Sequence, residues 1–266
     1  MLNVVTWNVN SIRARLDNIV WWVENSNFDV LLLQEIKCEA QHFPMDAFAN
    51  YNIVIHGQKS YNGVAILSRY PLEDITEGLP TLVDETQARY IEAVVNAPQG
   101  VARVASVYVP NGGSIGSDKY IYKLRFMEHL RNHMARLLTH EEITVIGGDY
   151  NIAPTDDDVH DPAAWHEQTL CSMAERLSLQ SIFHLGYYDA LRIQYPEGAG
   201  PYTWWDYRSQ AWLRDEGLRI DHLLLSPLAA DVMKDAGVAK QERGKDKASD
   251  HAPVWCHLEK RAGLWD

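Results

Sequence analysis

Short runs of branched aliphatic residues, bounded by Gly, Pro, Asn and Asp, recur through most of the chain. They predict strands at residues 2–7, 30–33, 52–56, 63–68, 89–95, 102–109, 143–146, 220–225 and 254–257. Several are apolar on both faces, the pattern of strands buried in a sandwich. Longer stretches of helical period lie between them. Residues 118–138 place Ile121, Leu124, Met127, Leu130, Met134, Leu137 and Leu138 three and four apart, with Asp118 as N-cap. Residues 11–24 and part of 163–177 read as further helices. The alternation predicts an α/β fold of two packed sheets flanked by helices. No repeat or Ser/Gly/Pro-rich linker interrupts residues 1–258, which read as one domain followed by a tail, 259–266.

Composition excludes several classes. Nine Trp and thirteen Tyr among 266 residues are incompatible with a disordered chain. The three cysteines, Cys38, Cys171 and Cys256, are too few and too scattered for a disulfide framework or a zinc cage. Asn3, Thr6, Asn8 and Asn10 stand where a signal peptide would be apolar, and no stretch approaches a membrane span. A cytoplasmic protein without membrane attachment is expected. The net charge of −12 adds a constraint: any polyanionic partner must be met by a local basic face or a bound cation.

Polar clusters stand at the ends of predicted strands, where rigid scaffolds present functional groups. They contain the carboxylates Glu35, Asp149, Asp221 and Asp250, and the amides Asn8, Asn10, Asn111 and Asn151. Beside a single histidine, His251, only oxygen ligands are offered, which implies a hard cation, magnesium or manganese rather than zinc. Asp221 lies in an otherwise apolar predicted strand, and a carboxylate buried there needs a partner such as a histidine. An Asp–His pair beside a metal-binding carboxylate is machinery for phosphate-ester hydrolysis.

Six segments in order, WNVNSIRAR at 7–15, LQEIK at 33–37, GGDYNIAP at 147–154, YTWWDYR at 202–208, LRID at 218–221 and SDHAP at 249–253, resemble the exonuclease III and abasic-site endonuclease family. The resemblance runs from the N-terminus to about residue 258. It implies a four-layer α/β-sandwich and a magnesium-dependent DNA repair nuclease, with manganese able to substitute. Such an enzyme cleaves duplex DNA 5′ to abasic sites and trims 3′ ends. Glu35 matches the main metal-binding carboxylate, with Asn8, Asp149, Asn151 and Asp250 around the metal. Asp149 matches the residue that activates water, and Asn151 the amide that holds the phosphate. His251, oriented by Asp221, and Tyr108 match residues at the scissile phosphate; the protonation state of the tyrosine is left open. Asn10 and Asn111 fall on the substrate side, and Trp204, Leu218 and Ile220 where the family builds its pocket for a base-free sugar. Some relatives carry an aspartate at the position of Asn10. No obligate protein partner is implied. The rival readings are a non-catalytic nucleic-acid-binding regulator of the same fold and another phosphodiesterase or phosphatase of the superfamily.

Other features have ordinary readings. His129 and His133 are spaced i, i+4 but have no Glu between them and no third ligand, so a polar flank of a core helix is expected. The acidic run 155–161 lacks calcium-loop spacing and reads as a solvated turn and cap. Trp204 and Trp205 alternate faces, so one is expected in the core and one towards a cleft; the resemblance implies that Trp204 is the outward one. The run 240–247, with four basic residues against two acidic ones, stands as either a solvated loop or a phosphate contact.

Overall fold

The aliphatic runs form β1 (Leu2–Asn8), β2 (Val30–Gln34), β3 (Asn52–His56), β4 (Val64–Ser68), β5 (Leu72–Glu77), β6 (Tyr90–Ala97), β7 (Gly100–Tyr108), β8 (Thr144–Asp149), β9 (Tyr188–Asp189), β10 (Asp221–Leu225), β11 (Met233–Val238) and β12 (Val254–Leu258). The computed structural model describes residues 2–82, 86–98 and 100–259, so most of the expected tail lies outside the described residues. One sheet has the order β11-β12-β1-β2-β4-β3 and the other β5-β6-β7-β8-β10-β9. Each is antiparallel except for one central parallel pair, β1 with β2 and β7 with β8. A parallel pair needs a crossover. The first crossover carries α1 (Leu16–Asn25) and the second α2 (Asp118–Leu137). The remaining helices are α3 (Pro162–Trp165), α4 (Met173–Phe183), α5 (Ala190–Gln194), α6 (Ala211–Arg214) and α7 (Pro227–Val232).

The burial pattern makes four layers. Val4, Val30, Leu32 and Ile66 from the first sheet meet Ile91, Val104, Val145 and Leu223 from the second. Outside the first sheet, Ile19, Trp22 and Val23 of α1 cover Val5, Trp7 and Leu31. Outside the second, Met127, Leu130 and Met134 of α2 and Leu179 and Ile182 of α4 cover Ala105, Val107 and Leu224. This is the expected α/β-sandwich. The sheets approach closely at Gly147, where a Cβ would stand 2.7 Å from both Leu32 and Leu223 side chains.

Departures from the sequence reading have local causes. The missed strands β5, β9 and β11 are all sheet edges, polar or only two residues long, so no aliphatic run marks them. α1 begins at Leu16 rather than residue 11, because Asn10 and Ser11 turn the chain with φ of 45° and 92°. The helix at 163–177 is two helices, interrupted where Glu167 and Leu170 adopt positive φ. Ser117, not Asp118, caps α2, accepting from the Tyr120 N–H; Asp118 occupies the first turn. The buried stripe of α2 also starts one position off: Ile121 is exposed, and Tyr120 and Lys123 point inward instead. Asp221 opens β10 rather than interrupting it, and Ile220 lies just before.

Candidate active site

The carboxyl ends of the parallel strands deliver the site, the place where open α/β sheets bind ligands. β1 ends on Asn8, β2 runs into Glu35, β7 ends on Tyr108 and β8 on Asp149. Register aligns the second sheet: Tyr108 and Asp221 both flank Asp149, from the parallel and the antiparallel side. The two sheets are sewn together at this end. Asn8 Nδ2 donates to Asp149 Oδ2 at 2.9 Å, and Gln34 Nε2 to Ser106 Oγ at 2.9 Å. The segment carrying Asp250 and His251 is fixed from three sides. Ser249 Oγ donates to the Asn8 carbonyl, Trp7 Nε1 to the His251 carbonyl, and the Trp205 N–H to the Asp250 carbonyl.

His251 stands between two carboxylates. Its Nδ1 lies 2.9 and 3.0 Å from the Asp221 oxygens, and its Nε2 3.8 Å from Asp149 Oδ2. All three side chains are buried. Burial alone would discharge the imidazole, but the charges of Asp221 and Asp149, with the Asp221 hydrogen bond, outweigh it and push its pKa up to about 10. Burial lifts Asp149 to about 7, with Asp221 and Glu35 adding to the rise and His251 and Asn8 opposing it. Asp221 is anchored by the Thr203 hydroxyl, which accepts its N–H at 3.1 Å.

Glu35 gathers a second group. Asn8 Nδ2 donates to one oxygen at 3.0 Å and Lys37 Nζ lies 2.7 Å from the other. Burial would raise the Glu35 pKa, but Lys37 and the Asn8 and Lys37 hydrogen bonds bring it below the ordinary carboxylate value. The Tyr108 phenol lies close enough to Glu35 and Asp149 to feel both charges. Burial and the charges of Glu35 and Asp149 drive its pKa well above the usual phenol range, so it is a neutral O–H donor. Asn10 bridges onward, accepting from Lys37 and donating from Nδ2 to Asp250 Oδ1 at 2.9 Å. Trp204 Nε1 donates to the other Asp250 oxygen at 3.0 Å. Burial raises the Asp250 pKa, while His251 and these two donors bring it below normal.

The donor chemistry fits a hard cation. Among the described residues, Asp149, Asp221 and His251 form a group whose ligand atoms lie within 4.8 Å of one another. Its histidine is committed to a proton and to Asp221, so the group suits a proton relay better than a metal. The Glu35 side offers the Glu35 and Asp250 carboxylates, both held in the charged form, and such oxygens suit a hard cation. In the hydrogen-bonded arrangement Asn8 turns Nδ2 to the carboxylates while its Oδ1 accepts from the Asn10 N–H. Asn151 is equally engaged: Nδ2 donates to Asp149 Oδ2 and to the Val109 carbonyl, and Oδ1 accepts from Asn111.

Trp204 is half-buried and Trp205 fully buried, as face alternation predicts. Leu218 and Ile220 have exposures of only 0 and 1 %, so they form a closed floor with Val159 and Leu170 beneath Trp204, not an open wall. Sequence reasoning passed over Lys37, Lys123, Arg15 and Tyr207. Arg15 donates to the Asn10 carbonyl at 2.7 Å and to the Tyr207 hydroxyl at 3.1 Å. The available signals were a lysine on an apolar helical stripe for Lys123 and, for the other three, only their place within the segments 7–15, 33–37 and 202–208.

The ordinary readings need two refinements. His133 is buried and bonded to Glu92 at 2.7 Å, so it is a core partner rather than half of a zinc pair. In the acidic run, Thr155 and Asp158 form a capping box and Asp161 caps α3, but Asp158 is also buried against Arg219 and Arg192. The 240–247 run divides. Lys240 pairs with Asp215, and buried Arg243 packs on Tyr207 and Trp212. Lys245 pairs with Glu242 and sits over Trp21. Lys247 lines a groove of about 480 Å³ with Arg15, Tyr207 and Lys245, beside Asn10. A second groove, of about 490 Å³, opens beyond Tyr108, lined by Arg89, Tyr61, Asn111 and Lys119.

Residues 5–251 match the family model described as the endonuclease/exonuclease/phosphatase family. The chain is 32% identical to exodeoxyribonuclease III of Haemophilus influenzae, with 97% of this chain aligned to 100% of that one. A solved structure of the 3′ phosphatase NExo from Neisseria, bound to a product DNA hairpin, is 41% identical and superposes with a TM-score of 0.93, covering 97% of this chain and 100% of that one. An AP endonuclease from Archaeoglobus fulgidus is 34% identical with a TM-score of 0.91, covering 97% and 99%. With sandwich, site and nearly the whole length in agreement, this chain belongs to the endonuclease/exonuclease/phosphatase family.

Proposed function

We propose that the protein is a magnesium-dependent DNA repair nuclease that removes nucleotides and blocking groups from 3′ ends and cleaves 5′ to abasic sites in duplex DNA. The observation that carries the reading is the buried series Asp221–His251–Asp149, set against the oxygen-rich cluster at Glu35. A binding module has no use for a proton held between two buried carboxylates. The relatives named for exonuclease, 3′ phosphatase and AP endonuclease activity support DNA as substrate.

Asp149 is placed to take a proton from water as the water attacks phosphorus, and a base with pKa near the working pH suits that task. The P–O3′ bond breaks, the 3′ oxygen leaves and takes a proton from solvent to become a hydroxyl, and the phosphate stays on the downstream side. The His251 imidazolium, held by Asp221, donates to a nonbridging oxygen as charge builds there. The neutral Tyr108 hydroxyl is a second donor, and Asn151 holds Asp149 in place. Glu35 and Asp250 are the carboxylates that would hold a divalent cation, which when bound would supply Lewis-acid neutralisation of the charge that builds on the phosphate. The sugar of an abasic or terminal nucleotide would rest against Trp204.

Matched duplexes test the reading, one with an abasic analogue and one intact with a recessed 3′ end, with magnesium and with chelator. Strand cleavage and 3′ shortening that need the metal are expected. Tight DNA binding without any cleavage would favour the regulator, and cleavage in excess chelator would remove the metal.

A further inference from the structure

We propose that Lys123 of α2 is a positioning residue for Asn151, acting with Glu175 of α4; the inference rests on the nuclease reading above. Lys123 is fully buried in the second turn of its helix. Its ammonium donates to the backbone carbonyl of Asn151 at 2.6 Å, to that of Asn111 at 3.1 Å, and to the Glu175 carboxylate. All three ammonium protons are thus assigned, two of them to the loops that follow β7 and β8.

Those loops meet again at the site, where Asn111 Nδ2 donates to Asn151 Oδ1 at 3.2 Å. Asn151 has φ of 50°, a left-handed conformation that a non-glycine residue holds only when its surroundings insist. The ammonium grips the carbonyl of that residue, while its N–H donates to Asp149 Oδ1 at 2.8 Å. Rotating this backbone would withdraw donors from the base itself. Space around the lysine is tight: a Cβ on Gly112 would stand 3.0 Å from its Cδ. Glu175 is fixed in turn, accepting from the Ser172 N–H and hydroxyl in the capping box that starts α4. A helix start on the outer layer is therefore connected to the orientation of Asp149 and Asn151.

The test uses the magnesium-loaded enzyme on a recessed 3′ end, with Lys123→Met and the double variant Lys123→Met/Glu175→Gln. The single variant leaves a buried carboxylate unpaired and should melt lower; the double variant removes both charges and should regain most of that midpoint. A positioning role predicts that kcat stays depressed by about 10–100-fold in both, with KM within about threefold, since small misplacements of reacting groups carry that cost. Recovery of kcat together with the midpoint, a kcat within threefold of the unaltered enzyme in Lys123→Met, or failure of both variants to fold would each overturn the proposal. Inactivity of the unaltered protein on DNA would instead overturn the nuclease reading.

Discussion

His251 Nε2 lies 3.8 Å from Asp149 Oδ2, on the far side of the imidazole from the Asp221 carboxylate that holds its proton. Two titrations of opposite sense follow. Asp149 must lose its proton to act as base, so the rate should rise with pH through about 7. His251 must keep its proton, so the rate should fall only as pH passes about 10. A cation near Glu35 favours the Asp149 carboxylate and moves the rising limb lower. The profile of kcat/KM against pH should therefore be a broad plateau. Asp221→Asn removes the largest charge supporting the imidazolium, so the falling limb should move down by more than a unit. It should also cost roughly 10²–10⁴-fold in rate. A falling limb unchanged by that substitution would separate Asp221 from the His251 proton.

Asp149→Asn tests chemistry against binding. The carboxylate accepts from the Asn151 N–H at Oδ1, and from Asn8 Nδ2 and Asn151 Nδ2 at Oδ2. An amide offers one acceptor oxygen, so one neighbour must turn over and the melting midpoint should drop slightly. Single-turnover cleavage should fall by at least about 10², while DNA affinity holds or rises because a charge facing the phosphate is gone. Affinity lost together with turnover would make Asp149 an organiser of the site rather than its base.

Much of this site could be read in the sequence because its residues follow strand ends. Asn8, Glu35, Tyr108 and Asp149 terminate aliphatic runs, and a β-rich pattern ending in a polar group marks such places. Lys37 and Arg15 were illegible for the opposite reason. Their roles depend on Glu35 and Tyr207, partners brought close by positive-φ turns at Glu35 and Asn10 and, for Tyr207, from 192 residues away along the chain. Leu218 and Ile220 were legible as apolar but not as a closed floor, since exposure there is set by Trp204 folding over them. The edge strands β5, β9 and β11 escaped because they are polar or very short, whereas β3, an edge with the aliphatic run IVI, was legible.

The Lys37 ammonium lies 2.7 Å from one oxygen of Glu35, the carboxylate proposed to hold the cation. Like charges at such range repel, and partial exposure of the lysine screens but does not abolish the effect. Lys37→Met should therefore lower the magnesium concentration that gives half-maximal cleavage, by severalfold. It should also enlarge the rise in melting midpoint that magnesium produces, because a tighter ligand stabilises the folded state more. An increased magnesium requirement would mean that Lys37 acts by holding Glu35 and Asn10 in place.

With a net charge of −12, a DNA partner must be met by local positive groups or a bound cation, and the groove beside Asn10 carries Arg15, Arg243, Lys245 and Lys247. Arg15 is unsuitable as a probe, since it also braces Asn10 and Tyr207. Lys247 is exposed and lies on the same groove. If it neutralises a phosphate, Lys247→Ala should weaken binding to abasic and intact duplexes equally, because phosphate contacts carry no sequence or lesion information. The slope of log affinity against log salt should become shallower by about 1, the signature of one fewer released counterion. Single-turnover cleavage at saturating enzyme should be unchanged. Equilibrium titrations at several salt concentrations measure the slope. A weakened affinity with an unaltered slope would exclude a phosphate contact and place the effect in the local turn, where Lys247 has φ of 52°.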